Sequence, residues 1–336
     1  MKTFLITGAT GYIGGMIINR ILKKDREARI IAVVRDTESA KKILPEDVRL
    51  IEADLSLEND LWEKTGCPAD YIFHCAATTS SKEMINNPTS VYDGILTGTE
   101  NILRYAVKCG SSLKRMINLS SVEVYGSVTS DKSHPLTEEK LGTIDVSKAR
   151  SCYPLAKKRA EDLCKKYASE KSIPVLTARL AQTFGRGVKE TDNRVFMQFA
   201  RAAVSGEDIV LKTKGRSIGN YCGIDDCLDA LLLLAGIEEE YKRNYSFTNG
   251  DIYNVVNEQN SMSIFDMAVL VRDKIAPLYG HHIKVRIEEA DPEKTGYAPD
   301  SCLYMSAQKL RNCEWEPMQS LEKMYIDACK EIEKMM

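Results

Sequence analysis

Residues 3–15 read Thr3-Phe4-Leu5-Ile6-Thr7-Gly8-Ala9-Thr10-Gly11-Tyr12-Ile13-Gly14-Gly15, an apolar run that ends in a glycine-rich turn. The run predicts a buried strand, and the apolar spacing of residues 16–24 predicts a helix after the turn. Glycines at such a junction permit a tight turn and let the backbone approach a pyrophosphate. We therefore predict a dinucleotide site, with a purely structural turn as the alternative. The expected cofactor contacts in the turn are Gly8, Thr10, Gly11, Tyr12, Ile13 and Gly14.

The first half of the chain alternates short apolar runs with amphipathic stretches. Strands that are apolar throughout and alternate with helices imply a parallel sheet covered on both faces. We predict an α/β fold, a doubly wound parallel sheet of the Rossmann-like type, with a smaller C-terminal substrate-binding lobe. The expected domains are residues 1–184, to which about 208–256 return, and 185–336. The predicted strands cover residues 4–6, 30–34, 48–51, 71–75, 116–119 and 175–178.

Composition excludes several classes of partner. The 336 residues carry a net charge of -2 and no basic or acidic block, so neither nucleic acid nor an anionic membrane is an expected partner. The longest apolar run is far short of the roughly 20 residues that span a bilayer. The chain has ten cysteines but no Cys-x-x-Cys pair, and its four histidines lack ligand companions. We expect a cytoplasmic protein with reduced thiols and no metal site.

Tyr153 and Lys157 are candidate proton-transfer residues. In a helix they lie on one face, a turn apart, and a nearby cation favours the phenolate of a tyrosine whose ordinary pKa is about 10. Ser121, 32 residues earlier, would fix where the proton is delivered. Tyr167 and Lys171 share the spacing, but Tyr167 belongs to a core-facing stripe and is predicted to pack.

The ends of the next strands suggest further cofactor contacts. An acidic residue after the second strand binds a ribose hydroxyl, whereas an arginine accommodates a phosphate there. Arg35 therefore favours NADP, while Asp36 on the ribose would indicate NAD. Asp54 and Leu55 follow the third strand and are placed to contact adenine. The fourth strand ends in small side chains that let the backbone run beside the cofactor: Cys75, Ala76 and Ala77.

The motifs together resemble the extended short-chain dehydrogenase/reductases, which include nucleotide-sugar epimerases and dehydratases. Beyond the glycine turn, Ser121, Tyr153 and Lys157, the matching segments are residues 74–77, 98–101, 120–126, 179–185 and 313–317. The resemblance covers essentially the whole chain. It implies a nucleotide-sugar substrate and a shared first step, in which Tyr153 takes a hydroxyl proton while hydride passes to the nicotinamide. Ser121 would bond the same oxygen, and Lys157 would bond the nicotinamide ribose and lower the pKa of Tyr153.

Departures from the family pattern bear on the product. Dehydratases carry an Asp-Glu pair after the catalytic Ser or Thr, and here those positions are Val122 and Glu123, so only the base-like carboxylate remains. Alternatively, Glu123 only orders the loop. Decarboxylases of UDP-glucuronate keep this Glu and add a downstream Arg, where this chain has Gly219. Ile95 and Gln182 replace two usual Asn residues.

Substrate contacts are the least specific expectation. Thr78 and Thr79 suit sugar hydroxyls or a turn, Gln182 suits a diphosphate, and Arg186 and Arg216 suit a diphosphate or solvent. Lys189 and Arg194 are further diphosphate candidates, and Asp225 and Asp226 are expected to cap the helix after them. The resemblance also implies a homodimer through residues 91–108 and 153–170, with a monomer as the alternative.

Three hypotheses of function remain open. The first is a nucleotide-sugar epimerase, in which a transient keto sugar takes hydride back on its other face without net redox change. The second is an NADPH-dependent reductase of a keto sugar or another carbonyl, favoured by Arg35. The third is a catalytically silent NADP-binding sensor, which has no reason to keep Ser121, Tyr153 and Lys157 together. Dehydratase and decarboxylase activities rank lower.

Overall fold

Seven parallel strands form the central sheet of the computed structural model, which describes residues 1–58, 60–237, 246–289 and 301–336. These strands are β1 (Thr3–Thr7), β2 (Arg29–Val34), β3 (Arg49–Glu52), β4 (Tyr71–His74), β5 (Arg115–Ser121), β6 (Val175–Leu180) and β10 (Ile252–Val255). Their order is β10-β6-β5-β4-β1-β2-β3. This arrangement confirms the predicted doubly wound sheet.

Helices cover both faces of this sheet. They are α1 (Tyr12–Lys24), α2 (Thr37–Lys41), α3 (Leu61–Thr65), α4 (Ser81–Asn86), α5 (Pro88–Cys109), α6 (Cys152–Lys171) and α8 (Ile224–Ala235). Successive strand residues point to opposite faces, so Phe4 and Ile6 pack in one core with α1 and α8, whereas Leu5 packs in the other with α5 and α6. The apolar strands are therefore buried from both sides, as parallel strands require.

A smaller lobe follows the sixth strand. Its elements are β7 (Gln182–Phe184), α7 (Val195–Ser205), β8 (Ile209–Leu211), β9 (Ile218–Gly223), β11 (Asn257–Ser263), α9 (Ile264–Leu270), β12 (Val285–Ile287), α10 (Gln308–Arg311) and α11 (Leu321–Met335). The strands form one sheet of order β11-β9-β7 and a β12-β8 pair. Phe184 and Phe196 stack 4.4 Å apart at the centre of the lobe, so this part of the chain has an aromatic core of its own.

Residues 301–307 join the smaller lobe to the loop after β5. The Ile218 amide donates to the Ser301 carbonyl at 2.8 Å, and the Leu136 amide donates to the Tyr304 carbonyl at 2.7 Å. Trp315, in the segment that resembles the family's closing motif, is buried and donates to the Asp226 carbonyl at 3.2 Å. These contacts bring the carboxyl edge of the sheet and the smaller lobe together. Among the described residues, no helix combines the length and the apolar character needed to cross a bilayer.

Candidate active site

The glycine-rich turn between β1 and α1 is closed by backbone contacts that exclude larger residues. Gly8 has a φ of +63°, and a β-carbon there would lie 2.8 Å from the Ala76 amide nitrogen. The Gly11 amide donates to the Gly8 carbonyl at 2.9 Å. Gly11 is also the N-cap of α1 and makes no side-chain cap. No side chain therefore caps the start of α1, and its amide groups suit a pyrophosphate.

Residues 186–189 lie across this turn. The Tyr12 hydroxyl donates to the Arg186 carbonyl at 2.9 Å, and the Lys189 ammonium donates to the Thr10 carbonyl. A β-carbon at Gly187 would lie 2.7 Å from the Met16 sulfur, so α1 and this segment are in close contact. Lys189 was expected near a substrate diphosphate, and the structure places it at the predicted cofactor turn.

Arg35 and Asp36, directly after β2, differ in their hydrogen bonds. Arg35 is exposed, whereas the Asp36 carboxylate caps α2 by accepting from the amides of Glu38 and Ser39 at 2.9 Å and 3.2 Å. A hydrogen bond from the Ser39 hydroxyl lowers the pKa of Asp36. Asp54, after β3, likewise accepts from the Ser56 hydroxyl at 2.7 Å. Asp36 therefore already has a local structural role, while Arg35 faces solvent.

His74 fixes the end of β4 beside the glycine turn. Its Nδ1 lies 2.8 Å from the Thr7 hydroxyl oxygen, and its Nε2 lies 3.3 Å from that of Thr99. Burial, followed by the charge of Lys157, lowers the pKa of His74 to about 3, so the ring is neutral. The Thr7 oxygen also accepts from the Ala76 amide at 3.1 Å. This neutral network holds the partly exposed 75–77 backbone next to Gly8.

Ser121, Tyr153 and Lys157 converge where β5 ends and α6 begins. The Ser121 side chain lies beside the Tyr153 phenol. Burial, with a smaller contribution from Glu123, raises the pKa of this phenol, and the Ser121 hydrogen bond, Arg150 and Arg194 oppose the rise. Ser121 and Tyr153 therefore lie together, and the chemical roles of Ser121, Tyr153 and Lys157 remain a prediction.

The Lys157 ammonium is held a turn further along α6. It donates to the Leu119 carbonyl at 2.7 Å and is 4% exposed. Burial lowers its pKa to about 8, against contributions from Cys75, Cys164 and Glu161. Lys157 is thus a buried cation that is bound to the backbone of β5.

Glu123 has a partner that the sequence did not suggest. Arg150 donates to both carboxylate oxygens, from Nη1 to Oε2 at 2.7 Å and from Nη2 to Oε1 at 3.0 Å. The two residues are 27 positions apart and are separated by the irregular segment 126–148, so no local spacing reveals the pair. The only available signal was that Arg150 lies three residues before Tyr153.

Gly219 has no room for the arginine that the decarboxylase resemblance would place there. A β-carbon on Gly219 would lie 2.6 Å from Cζ of Tyr221. The Tyr221 ring is fully buried in the aromatic core. The position is thus closed by an aromatic ring, and not left as a gap.

The remaining candidate substrate residues are spread over several sites. Thr78 is half-buried and Thr79 is exposed, directly before Ser80 caps α4. Gln182 begins β7 and is partly exposed. Arg216 is exposed in a cleft of about 700 Å³ that Ser263 and Phe265 also line.

Arg186 is bound to Asp225, and this corrects the expected role of that aspartate. The Arg186 guanidinium donates from Nε to Oδ1 of Asp225 at 3.0 Å and from Nη2 at 2.5 Å. The expectation that Asp225 and Asp226 cap the helix is wrong, because α8 begins at Ile224 with Gly223 as its N-cap. Asp226 instead accepts from the amides of Met318 and Gln319 at 2.9 Å and 2.8 Å.

Comparison with known proteins gives one family. A model of the NAD dependent epimerase/dehydratase family matches residues 4–255. UDP-glucuronic acid decarboxylase 1 of Danio rerio is 26% identical over 330 residues, which cover 96% of this chain and 70% of that protein. UDP-glucuronic acid decarboxylase 6 of Arabidopsis thaliana is 26% identical over 291 residues, which cover 86% and 78%.

Solved structures show the same fold. A UDP-glucose 4-epimerase of Thermotoga maritima, with UDP-glucose, aligns with a TM-score of 0.81 at 19% identity, over 99% of each chain. A UDP-N-acetylglucosamine 4-epimerase of Methanobrevibacter ruminantium, in complex with UDP-N-acetylmuramic acid, aligns with a TM-score of 0.80 at 20% identity, over 100% of this chain and 99% of that one. At these identities the likeness concerns the fold.

Proposed function

Because the chain belongs to the NAD-dependent epimerase/dehydratase family, we propose that it is a nucleotide-sugar epimerase that works through a transient keto sugar. The observation that carries the proposal is the placement of the Ser121 side chain beside the Tyr153 phenol, at the sheet edge where the glycine turn also lies. A dinucleotide bound along that edge supplies a hydride acceptor and donor. The protein then has to bind the sugar, orient it and move one proton.

Tyr153 is the acid and base in this proposal. Its phenolate oxygen takes the proton of the sugar hydroxyl as the carbon loses hydride, and it returns the proton when hydride comes back on the opposite face of the sugar. The Ser121 hydroxyl, which lies beside this phenol, positions the sugar oxygen. The buried Lys157 ammonium lies on the side of α6 that faces β5, where it would bind the nicotinamide ribose.

The surroundings of Tyr153 favour epimerisation over further chemistry. Val122 supplies no acid for loss of water, Glu123 is engaged by Arg150, and Gly219 supplies no cation for a sugar carboxylate. A keto sugar held there has hydride return as its available path. Thr78, Thr79, Gln182 and Arg216 are proposed substrate contacts, and Arg35 favours NADP over NAD.

A decarboxylase is the second candidate, because the curated relatives that align with most of the chain bear that name. Glu123 matches the Glu that decarboxylases keep, but a decarboxylase also needs a cation that binds the sugar carboxylate. Arg150 is the guanidinium nearest in the chain to Tyr153, and it is already paired.

The test is a panel of UDP-, dTDP-, CDP- and GDP-sugars, including UDP-glucuronic acid and a keto sugar, incubated with the protein and either catalytic NAD or NADP or, in parallel reactions, stoichiometric NADPH. An isomer formed without net cofactor reduction supports the epimerase. Carbon dioxide release identifies a decarboxylase, and stoichiometric NADPH consumption identifies a reductase. Cofactor binding without turnover of any sugar would contradict all three and favour a sensor.

A further inference from the structure

The Glu123 and Arg150 ion pair lies next to both Ser121 and Tyr153, the two residues that act on the sugar hydroxyl in the proposed reaction. The Glu123 amide donates to the Ser121 hydroxyl oxygen at 3.2 Å. Arg150 lies in the 3-10 turn Ala149–Ser151, immediately before α6 and three residues before Tyr153. Both carboxylate oxygens of Glu123 accept from the guanidinium. The backbone of Glu123 therefore connects the ion pair to Ser121, and the backbone of Arg150 connects it to Tyr153.

The two charges of the pair act on the phenol in opposite directions. Glu123 raises the pKa of Tyr153, whereas Arg150 and Arg194 lower it. The Lys157 ammonium, also on α6, is held by the Leu119 carbonyl. Removing Arg150 alone would leave an unbalanced carboxylate beside a phenol that must ionise.

The ion pair also bears on whether the Glu123 carboxylate can act as a base toward the keto sugar. A keto sugar has acidic hydrogens on the carbons next to its carbonyl. A free carboxylate can remove one of them: the C–H electrons form the enolate, the proton goes to the carboxylate, and solvent later returns a proton to carbon. The two charge-assisted hydrogen bonds from Arg150 hold the Glu123 carboxylate in one orientation, and turning it toward the substrate would break at least one of them.

We propose that Arg150 is a positioning residue that keeps Glu123 paired, so that Tyr153 is the one group in the site that exchanges protons with the substrate. This inference rests on the proposed function. Arg150 thereby selects the product: the keto sugar takes hydride back before a neighbouring hydrogen is lost.

The first measurement needs no turnover. Fluorotyrosine is placed at position 153, and its fluorine NMR signal is titrated with pH in the NAD-loaded protein. Arg150→Met should raise the phenol pKa, Glu123→Gln should lower it, and the double variant should return close to the starting value. Arg104→Met is the matched control, because Arg104 donates to Glu58 at 2.9 Å and is 42% exposed, against 47% for Arg150. Identical titrations in all variants would overturn the electrostatic role.

The second measurement follows the substrate in deuterium oxide. Arg150→Met should place deuterium next to the former keto carbon at least about tenfold more often than the unaltered protein, and adding Glu123→Gln should abolish the excess. Unlabelled product from Arg150→Met would overturn the product-selecting role. If the unaltered protein turns over no sugar, the proposed function fails, whereas the fluorotyrosine titration still tests the pair. Thermal unfolding checks that each variant is folded.

Discussion

The Tyr221 ring covers Gly219, two residues earlier on the same face of β9, so that a β-carbon at Gly219 would lie 2.6 Å from Tyr221 Cζ. The ring also meets Phe196 edge-on, with centroids 6.3 Å apart. The glycine and the tyrosine thus form one packing unit, in which a small residue at one position is required by a large one at the other.

Gly219→Ala should therefore destabilise the protein by about 1–3 kcal/mol, because a methyl group there overpacks the site. Urea unfolding measures the change. Tyr221→Phe is the control: the Tyr221 hydroxyl has no hydrogen-bond partner among the described residues, so its removal should leave stability unchanged or slightly raised. An unaltered midpoint in Gly219→Ala would show that the ring moves away at no cost.

Lys157 predicts a pH dependence of stability. Burial lowers its folded-state pKa to about 8 from the ordinary 10.5, so the cost of burying the charge is complete below about pH 8 and is relieved as pH rises to 10.5. The unfolding free energy of the unaltered protein, measured relative to Lys157→Met, should rise by about 3 kcal/mol across that window. Lys158→Met, the adjacent control, should follow the unaltered protein. A constant difference between Lys157→Met and the unaltered protein would contradict the burial of a charged Lys157.

The position of Lys189 leads us to expect that its side chain strengthens cofactor binding. Its ammonium donates to the Thr10 carbonyl in the glycine turn and so brings a positive charge to the proposed pyrophosphate site. Lys189→Met should raise the dissociation constant for NAD or NADP about tenfold, as measured by calorimetry. Lys166→Met, an exposed lysine of α6, is the control. Equal affinities would place Lys189 outside the cofactor site.

Arg35 predicts which nicotinamide cofactor is preferred. It is exposed after β2, whereas Asp36 is already the N-cap of α2. Arg35→Ser should reduce the ratio of NADP to NAD affinity about tenfold. Asp36→Asn keeps a capping side chain and should leave NAD affinity unchanged. Loss of NAD affinity in Asp36→Asn would support the alternative, in which the aspartate binds the ribose.

The sheet and the central trio were accessible from the sequence because their signals are local. Apolar strands, the glycine turn and the four-residue spacing of Tyr153 and Lys157 each reflect one element, and the carboxyl ends of parallel strands meet at one edge. Adjacent strands then bring Thr7 beside His74, and the end of β5 meets the start of α6. Little beyond element order is needed to predict that Ser121 and Tyr153 meet.

The contacts that modify the site depend on irregular segments, whose conformation no local sequence pattern predicts. Arg150 reaches Glu123 across 27 residues, and Lys189 reaches Thr10 across 179. Asp225 was expected as a helix cap, but the helix begins one residue earlier and Arg186 occupies the carboxylate. By contrast, the Gly219 and Tyr221 contact has a local signal, a glycine and an aromatic residue two positions apart on one face of a strand.

The most direct test of the proton-transfer role is a comparison of Tyr153→Phe with the unaltered protein on a sugar that the panel identifies as a substrate. Reduced nicotinamide is followed by its absorbance in a single turnover, and isomer formation is followed by NMR. The account predicts unchanged cofactor binding, with reduction and isomer formation both slowed at least about a thousandfold. Turnover at an undiminished rate in Tyr153→Phe would contradict the assignment of Tyr153 as acid and base.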